Sequence, residues 1–155
     1  MKKSKHLKKL FIILLLIVAG IYALVLIFRE KPQFTGNLNE RVSVVRQDHG
    51  LPPLTQVEDL NVIAQMKCDD MVKRNYYAHK NPNGKQLWEQ YNFGEYKWYG
   101  ENLAQGYRTA YDTAEGWRKS PEHLKNIVNP EYKEVGYGVC VDENNYFLVV
   151  QAFRG

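Results

Sequence analysis

The sequence predicts an α+β domain, of the kind in which helices layer against a sheet, standing behind one N-terminal apolar helix. Three observations carry this. Residues 10–28 run without a charged side chain. Two apolar stripes at helical spacing follow, over 38–49 and 57–74. The chain then closes on two segments rich in Val, Tyr and Phe, 134–141 and 146–153, with turn-forming residues 142–145 between them. A length of 155 residues suits one compact domain plus an extension and leaves no room for two ordinary domains.

As a helix rising about 1.5 Å per residue, the run 10–28 spans roughly 28 Å, close to the hydrocarbon thickness of a bilayer. Lys2, Lys3, Lys5, Lys8 and Lys9 precede it, and the positive-inside rule keeps that end in the cytoplasm. The expected organisation is a cytoplasmic basic tail over 1–9, a transmembrane anchor over 10–28, a linker over 29–36 and an extracytoplasmic domain over 37–155. The chain is then a single-pass protein of the cell membrane. The alternative is secretion after signal cleavage, for which Ala19, Gly20 and Ala23 supply small residues. Against cleavage, residues 24–28 continue the apolar run past them.

Charge divides in the same place. Residues 1–31 hold seven of the 21 Lys and Arg and one of the 17 Asp and Glu, which leaves 14 basic and 16 acidic residues in the rest. The external domain is slightly acidic and has no basic face, so nucleic acid is excluded as a partner.

Leu38, Val42, Val45 and His49 share one face of the first helix of the domain, 38–49. Gly50 stops it, and Pro52-Pro53 prevents its return. Leu60, Ile63, Ala64, Cys68, Met71 and Val72 mark the second helix, 57–74. Residues 81–84 (Asn-Pro-Asn-Gly) read as a turn and 86–91 as a short helix. Residues 99–104 read as extended. Thr109 with Asp112 starts another helix, whose Ala110, Ala114 and Trp117 share a face. Ser120 as N-cap and Pro121 as first helical residue start the next. The final hairpin follows from β-rich segments around a polar turn. Gly136 and Gly138 within it predict close backbone packing. Trp117, Tyr99, Tyr107, Tyr137 and Tyr146 are expected to build core and cleft wall.

Cys68 and Cys140 both fall in the external part. An even count outside the cell permits a disulfide, and each thiol equally suits a small buried apolar position. The spacing supports no cysteine metal site.

Three segments hold residues able to do chemistry: 77–79 (Tyr-Ala-His), 100–106 (Gly-Glu-Asn-Leu-Ala-Gln-Gly) and 117–123, with Trp117, Ser120, Pro121 and His123. Two imidazoles and a carboxylate, His79, His123 and Glu101, suit zinc with water completing a four-coordinate site. They also suit proton transfer. Spacing alone does not bring them together. His79 could instead end the surface of the second helix, Glu101 could be a strand-edge carboxylate, and His123 could sit idle in a helical first turn.

The order of the motifs adds what spacing lacks. Glu40, then Arg46-Gln47-x-His49-Gly50-Leu51-Pro52-Pro53-Leu54, then Ala78-His79, Gly100-Glu101-Asn102-Leu103-Ala104, Trp117-x-x-Ser120-Pro121-x-His123-x-x-Asn126-Ile127 and Val135-Gly136-Tyr137-Gly138-Val139 appear in sequence. Together they resemble the CAP (SCP-like) superfamily of cysteine-rich secretory, antigen 5 and pathogenesis-related proteins, in its bacterial form. The resemblance covers nearly all of 38–155. It implies a three-layer α-β-α sandwich with a central antiparallel sheet. It also implies a cleft that binds zinc or another divalent cation in several relatives, with His79, Glu101 and His123 as the matching metal ligands. Ser120 stands where the eukaryotic pattern has a second glutamate, and neither Glu115 nor Glu122 replaces it. Asn102 is expected to cross-bond backbone beside the cleft.

The resemblance implies a binding or cell-envelope interaction module with a lipid, cell-wall or protein ligand, rather than an enzyme. The alternative is a metal-assisted hydrolase, a peptidase or cell-wall hydrolase, using the same cleft. Ser120 is the one serine near the motifs, and its hydroxyl is expected to cap the helix it starts, which removes it as a nucleophile.

Overall fold

The structure, a computed structural model, describes the backbone of residues 2–27 and 32–155, with side chains for 10–22 and 32–155. The chain divides into two units, Met1–Pro32 and Gln33–Gly155.

The first unit is helix α1, Lys2–Ile27. Its described side chains are apolar and open to the surroundings on every face, from Leu10 (67% exposed) to Ile17 (52%) and Tyr22 (66%). They reach from 10 to 22, short of the roughly 20 residues a span needs. Among the described residues no helix is long and apolar enough to cross a membrane. The anchor expected over 10–28 falls partly outside the described residues, as do side chains 23–27, Phe28 and linker residues 29–31.

The second unit contains α2 (Leu38–Asp48), β1 (Thr55–Gln56), α3 (Glu58–Lys73), α4 (Leu87–Gln90), β2 (Tyr99–Gln105), α5 (Ala110–Lys119), α6 (Pro121–Ile127), β3 (Glu134–Val141) and β4 (Phe147–Arg154). The strands form one sheet in the order β1-β3-β4-β2. The β3–β4 and β4–β2 pairs are antiparallel, and β1 runs parallel to β3. The expected antiparallel sheet is thus a mixed one. The two-residue β1 was not foreseen, because so short a segment has no periodicity. Its parallel pairing needs a long crossover, which the chain from α3 to α6 supplies.

Apolar residues alternate along β4 and feed a core on each face of the sheet. Val149 and Phe153 pack with Leu38, Val42 and Val45 of α2, Trp117 of α5 and Ile127 of α6. Leu148, Val150 and Ala152 pack with Leu60, Ile63, Ala64 and Met71 of α3 and Leu87 of α4. Helices therefore cover both faces, giving the α-β-α layering.

Gly136 and Gly138 of β3 let α3 approach closely. A Cβ at Gly136 would strike the Leu60 backbone, and one at Gly138 the Ala64 backbone. Cys68 of α3 and Cys140 of β3 tie the same two layers with a disulfide, S–S 2.02 Å, across 72 residues of sequence. The question that the sequence left open is settled by this pairing. Among the tyrosines, Tyr137 packs against one core and Tyr99 against the other, whereas Tyr146 is 55% exposed beside the hairpin turn and builds no core.

Candidate functional site

The site forms around β2, the edge strand that follows β4 in the sheet. Alternation along β2 sends Glu101 and Leu103 toward the α3 side, and Asn102 and Ala104 toward the α5–α6 side. An edge strand lets residues from both faces meet around its rim. His79 arrives from the segment after α3, and His123 from the first turn of α6.

His79 and Glu101 meet. The imidazole Nδ1–H donates to Glu101 Oε1 at 2.6 Å, from a histidine side chain 56% exposed to a carboxylate only 3% exposed. In the neutral ring this bond places the proton on Nδ1 and leaves Nε2 as the nitrogen not used by Glu101. The second carboxylate oxygen, Glu101 Oε2, is buried and has no hydrogen-bond partner among the described residues. A buried acceptor left unpaired costs roughly 1–3 kcal/mol.

His123 meets Ser120. Its Nδ1 lies 2.9 Å from Ser120 Oγ. The expected capping bond is not made: Ser120 is the N-cap of α6 by position, but its side chain caps no backbone N–H. The hydroxyl turns to the imidazole one helical turn on. Burial lowers the pKa of His123, the charge of nearby His79 lowers it further, and Glu122 opposes both. The ring is therefore biased toward its neutral form.

Asn102 is fully buried and links the strand to α6. Its Nδ2 donates to the His123 carbonyl at 3.1 Å and to Gln151 Oε1 at 3.0 Å. Its Oδ1 accepts from Asn126 Nδ2 at 2.8 Å, and the same Asn126 amide donates to the Glu101 carbonyl at 3.0 Å. Trp117 Nε1–H donates to the Leu103 carbonyl at 3.1 Å, holding α5 to β2. Glu115 is taken up by Arg118 through two contacts of 2.8 Å and stays outside this cluster.

Sequence reasoning missed three contributors. Asn126 follows His123 by three residues, so it shares a helix face with the candidate histidine, which was the available signal. Gln151 is the one amide in β4, where every other residue before Arg154 is apolar. Lys67 is a lysine inside the buried stripe of α3 and only 1% exposed. Its Nζ donates to the carbonyls of Ala78 and His79, each at 2.9 Å, and lies 3.3 Å from Tyr76 Oη. Burial lowers its pKa, and the charges of Glu101 and Asp70 pull it back up.

The expected three-ligand metal set gathers only in part. Glu101 Oε1 is committed to His79, and among the described residues no group of three or more His, Cys, Asp or Glu side chains is close enough to hold a metal together. Among the described residues, the Nε2 atoms of His79 and His123 make no hydrogen bond, and Glu101 Oε2 is unpaired but buried.

A sequence profile of the CAP: Cysteine-rich secretory protein family matches residues 40–153. The chain is 38% identical over 101 residues to the uncharacterized protein YkwD of Bacillus subtilis (strain 168), covering 64% of this chain and 39% of that one. It is 30% identical over 99 residues to the uncharacterized membrane protein YlbC of the same organism, covering 63% and 29%. It thus spans well under half of either relative. An extracellular SCP-domain protein of Bacillus anthracis has the same fold, with TM-score 0.65 and 24% identity over 76% of this chain and 38% of that one. An outer surface protein of Borrelia burgdorferi does too, with TM-score 0.67 and 19% identity over 76% and 88%. The ordered motifs, the layered fold and the match across 40–153 lead to one conclusion: this chain belongs to the CAP, or cysteine-rich secretory protein, family.

Proposed function

We propose that the chain is a membrane-tethered, extracytoplasmic binding module of the cell envelope, and that the His79–Glu101 pair is its point of capture. The observation that carries this reading is the 2.6 Å bond by which the buried Glu101 carboxylate holds the exposed His79 imidazole. Burial keeps that carboxylate from a ligand, so the exposed imidazole it orients is read as the group that a ligand meets. The anchor over 10–28, the lysines before it and relatives described as extracellular or membrane proteins support the address. The ligand is envelope material: lipid, cell-wall polymer or protein.

A divalent cation such as zinc is the second guest this reading allows. His79 and His123 would hold it through Nε2, with Glu101 fixing the His79 ring in the manner of a carboxylate–histidine–metal arrangement. A bound ion would supply Lewis acidity.

The test is retention on isolated bacterial envelopes, fractionated into membranes and cell wall. The wild-type fragment 33–155, a compact unit without the anchor, is expected to co-sediment, and the same fragment carrying Glu101→Gln or His79→Ala to stay in solution while melting as the wild-type fragment does. Equal retention of all three sinks the reading. Melting with added zinc tests the cation: a rise in Tm lost in His79→Ala and His123→Ala supports it.

The contact between Ser120 Oγ and His123 Nδ1 favours one further reading, a serine hydrolase. Neutral His123 would take the Ser120 proton as the hydroxyl oxygen bonds to an acyl carbon, and would pass that proton to the leaving group as the original acyl bond breaks. Labelling by a fluorophosphonate probe, lost in Ser120→Ala and His123→Ala, supports it. An unlabelled wild type excludes it.

A further inference from the structure

Residues 77–80, which carry His79, belong to no helix or strand. The flanking backbone bonds are Tyr76 N to Met71 O at 3.0 Å and Asn81 N to Lys85 O at 2.8 Å. Between them, among the described residues, no backbone-to-backbone hydrogen bond holds the segment. A segment placed only by chain connectivity would not hold an imidazole within 2.6 Å of a buried carboxylate.

We propose that Lys67 is the positioning residue of this site, gripping the His79 segment from beneath by its main-chain carbonyls. The proposal rests on the reading of His79–Glu101 as the point of capture. Lys67 sits on α3 among Ile63, Ala64, Cys68 and Met71, where the helix presents its buried stripe. An ammonium group there is costly unless its donors are used. They are: two reach the Ala78 and His79 carbonyls at 2.9 Å, and the third direction meets Tyr76, whose oxygen is 3.3 Å away and whose ring lies beneath at 4.8 Å. Tyr76 is itself fixed, donating to Asp70 Oδ2 at 2.7 Å.

The geometry suits a grip rather than general packing. A methionine would fill the stem of Lys67 and leave both carbonyls without a donor. The carbonyl of His79 is one residue's backbone away from its ring. Helix α3 is in turn tied to β3 by the disulfide at Cys68, next in sequence to Lys67. Lys67 therefore refers the loop to a helix crosslinked to the sheet, and the ring of His79 meets Glu101 on strand β2. The His79 segment is held at two points, its carbonyls by Lys67 and its ring by Glu101.

The test uses the full-length protein in detergent micelles and reads the His79 Nδ1–H proton by NMR. In the wild type this proton exchanges slowly, because it is bonded to a buried carboxylate. In Lys67→Met its exchange is expected to accelerate about tenfold or more, and Lys67→Arg to bring the rate back toward the wild type. The Trp117 Nε1–H serves as the control that a general loosening would move and the loss of the grip would not. Unchanged His79 exchange in Lys67→Met, or acceleration matched at Trp117, overturns the proposal. If Lys67→Met does not fold, the wild type decides alone: couplings across hydrogen bonds from Lys67 Nζ to the Ala78 and His79 carbonyl carbons support the grip, and their absence with the Nζ resonance visible overturns it. A wild type without a slow His79 ring proton would instead remove the His79–Glu101 reading, which separates the two failures.

Discussion

His79 donates its Nδ1–H to Glu101 across 2.6 Å, joining residues 22 positions apart in sequence, one exposed and one buried. The acceptor has a second, buried oxygen that no described residue satisfies. Glu101→Gln separates what this pair does for binding from what it does for folding. Glutamine keeps an oxygen for the imidazole and replaces a buried unpaired carboxylate oxygen with an unpaired amide, which costs less to desolvate. It also removes a negative charge that favours the ammonium of Lys67. These effects oppose each other, so unfolding free energy by urea titration is expected to change by less than about 1 kcal/mol. Envelope retention is expected to be lost. A strongly destabilised Glu101→Gln would mean that the carboxylate serves the fold.

Asn102 gives the opposite expectation. It makes its hydrogen bonds to His123, Gln151 and Asn126 at zero exposure. Asn102→Ala leaves Gln151 Oε1 and the His123 carbonyl without that donor and opens a small void. Each buried group stranded costs roughly 1–3 kcal/mol, so a loss of about 3 kcal/mol is expected by chemical denaturation. Loss below about 1 kcal/mol would show that water replaces the amide.

Most of the fold was legible because its signals are periodic. The stripe on α3, the Thr109 cap of α5, the Ser120-Pro121 start of α6 and the β-rich closing segments each name an element on their own. Strand β1 was not legible, since two residues have no period. At the site, the identities of His79, Glu101, Asn102 and His123 could be read from motif order, but their partners could not. The Ser120 hydroxyl was assigned to a helix cap by propensity, and His123, three residues on, outcompeted the backbone for it. Lys67 looked like an ordinary helix lysine. Its role depends on carbonyls 11 and 12 residues ahead, a contact that no local pattern encodes.

The disulfide gives a prediction about the scaffold. Cys68–Cys140 closes 72 residues of sequence, and chain-entropy reasoning assigns such a crosslink about 4 kcal/mol. The double variant Cys68→Ala/Cys140→Ala is expected to lose about that much, and the wild type under reductant to match it. Equal urea midpoints with and without reductant, with the thiols shown to be reduced, would refute the assignment.

Gly138 tests how closely α3 lies on the sheet. A methyl group there would overlap the Ala64 backbone, and backbone cannot step aside as a side-chain tip can. Gly138→Ala is expected to cost about 3 kcal/mol, the upper range for overpacking. The Gly84→Ala control has open space but a φ of +80°, so its cost arises from backbone strain alone and is expected to be about 1 kcal/mol. Similar losses at both positions would argue against the close approach.

His123 makes the stability of the domain depend on pH in a stated direction. Its folded pKa lies below the ordinary histidine value, chiefly through burial and secondly through the charge of His79. The unfolded chain therefore binds more protons at this group than the folded one between the folded value and about 6.5. Stability from this group is complete above about pH 6.5 and declines as pH falls through that window toward the folded pKa. Thermal melts between about pH 7.5 and pH 5 are expected to show a falling Tm in the wild type and a flatter profile in His123→Gln, which has no proton to gain. The His123 Cε1–H resonance, followed over the same range, should titrate with a midpoint below about 6.5. A midpoint at or above that value would mean that the ring is stabilised in its charged form, and its bond to Ser120 would then have to be one that His123 donates.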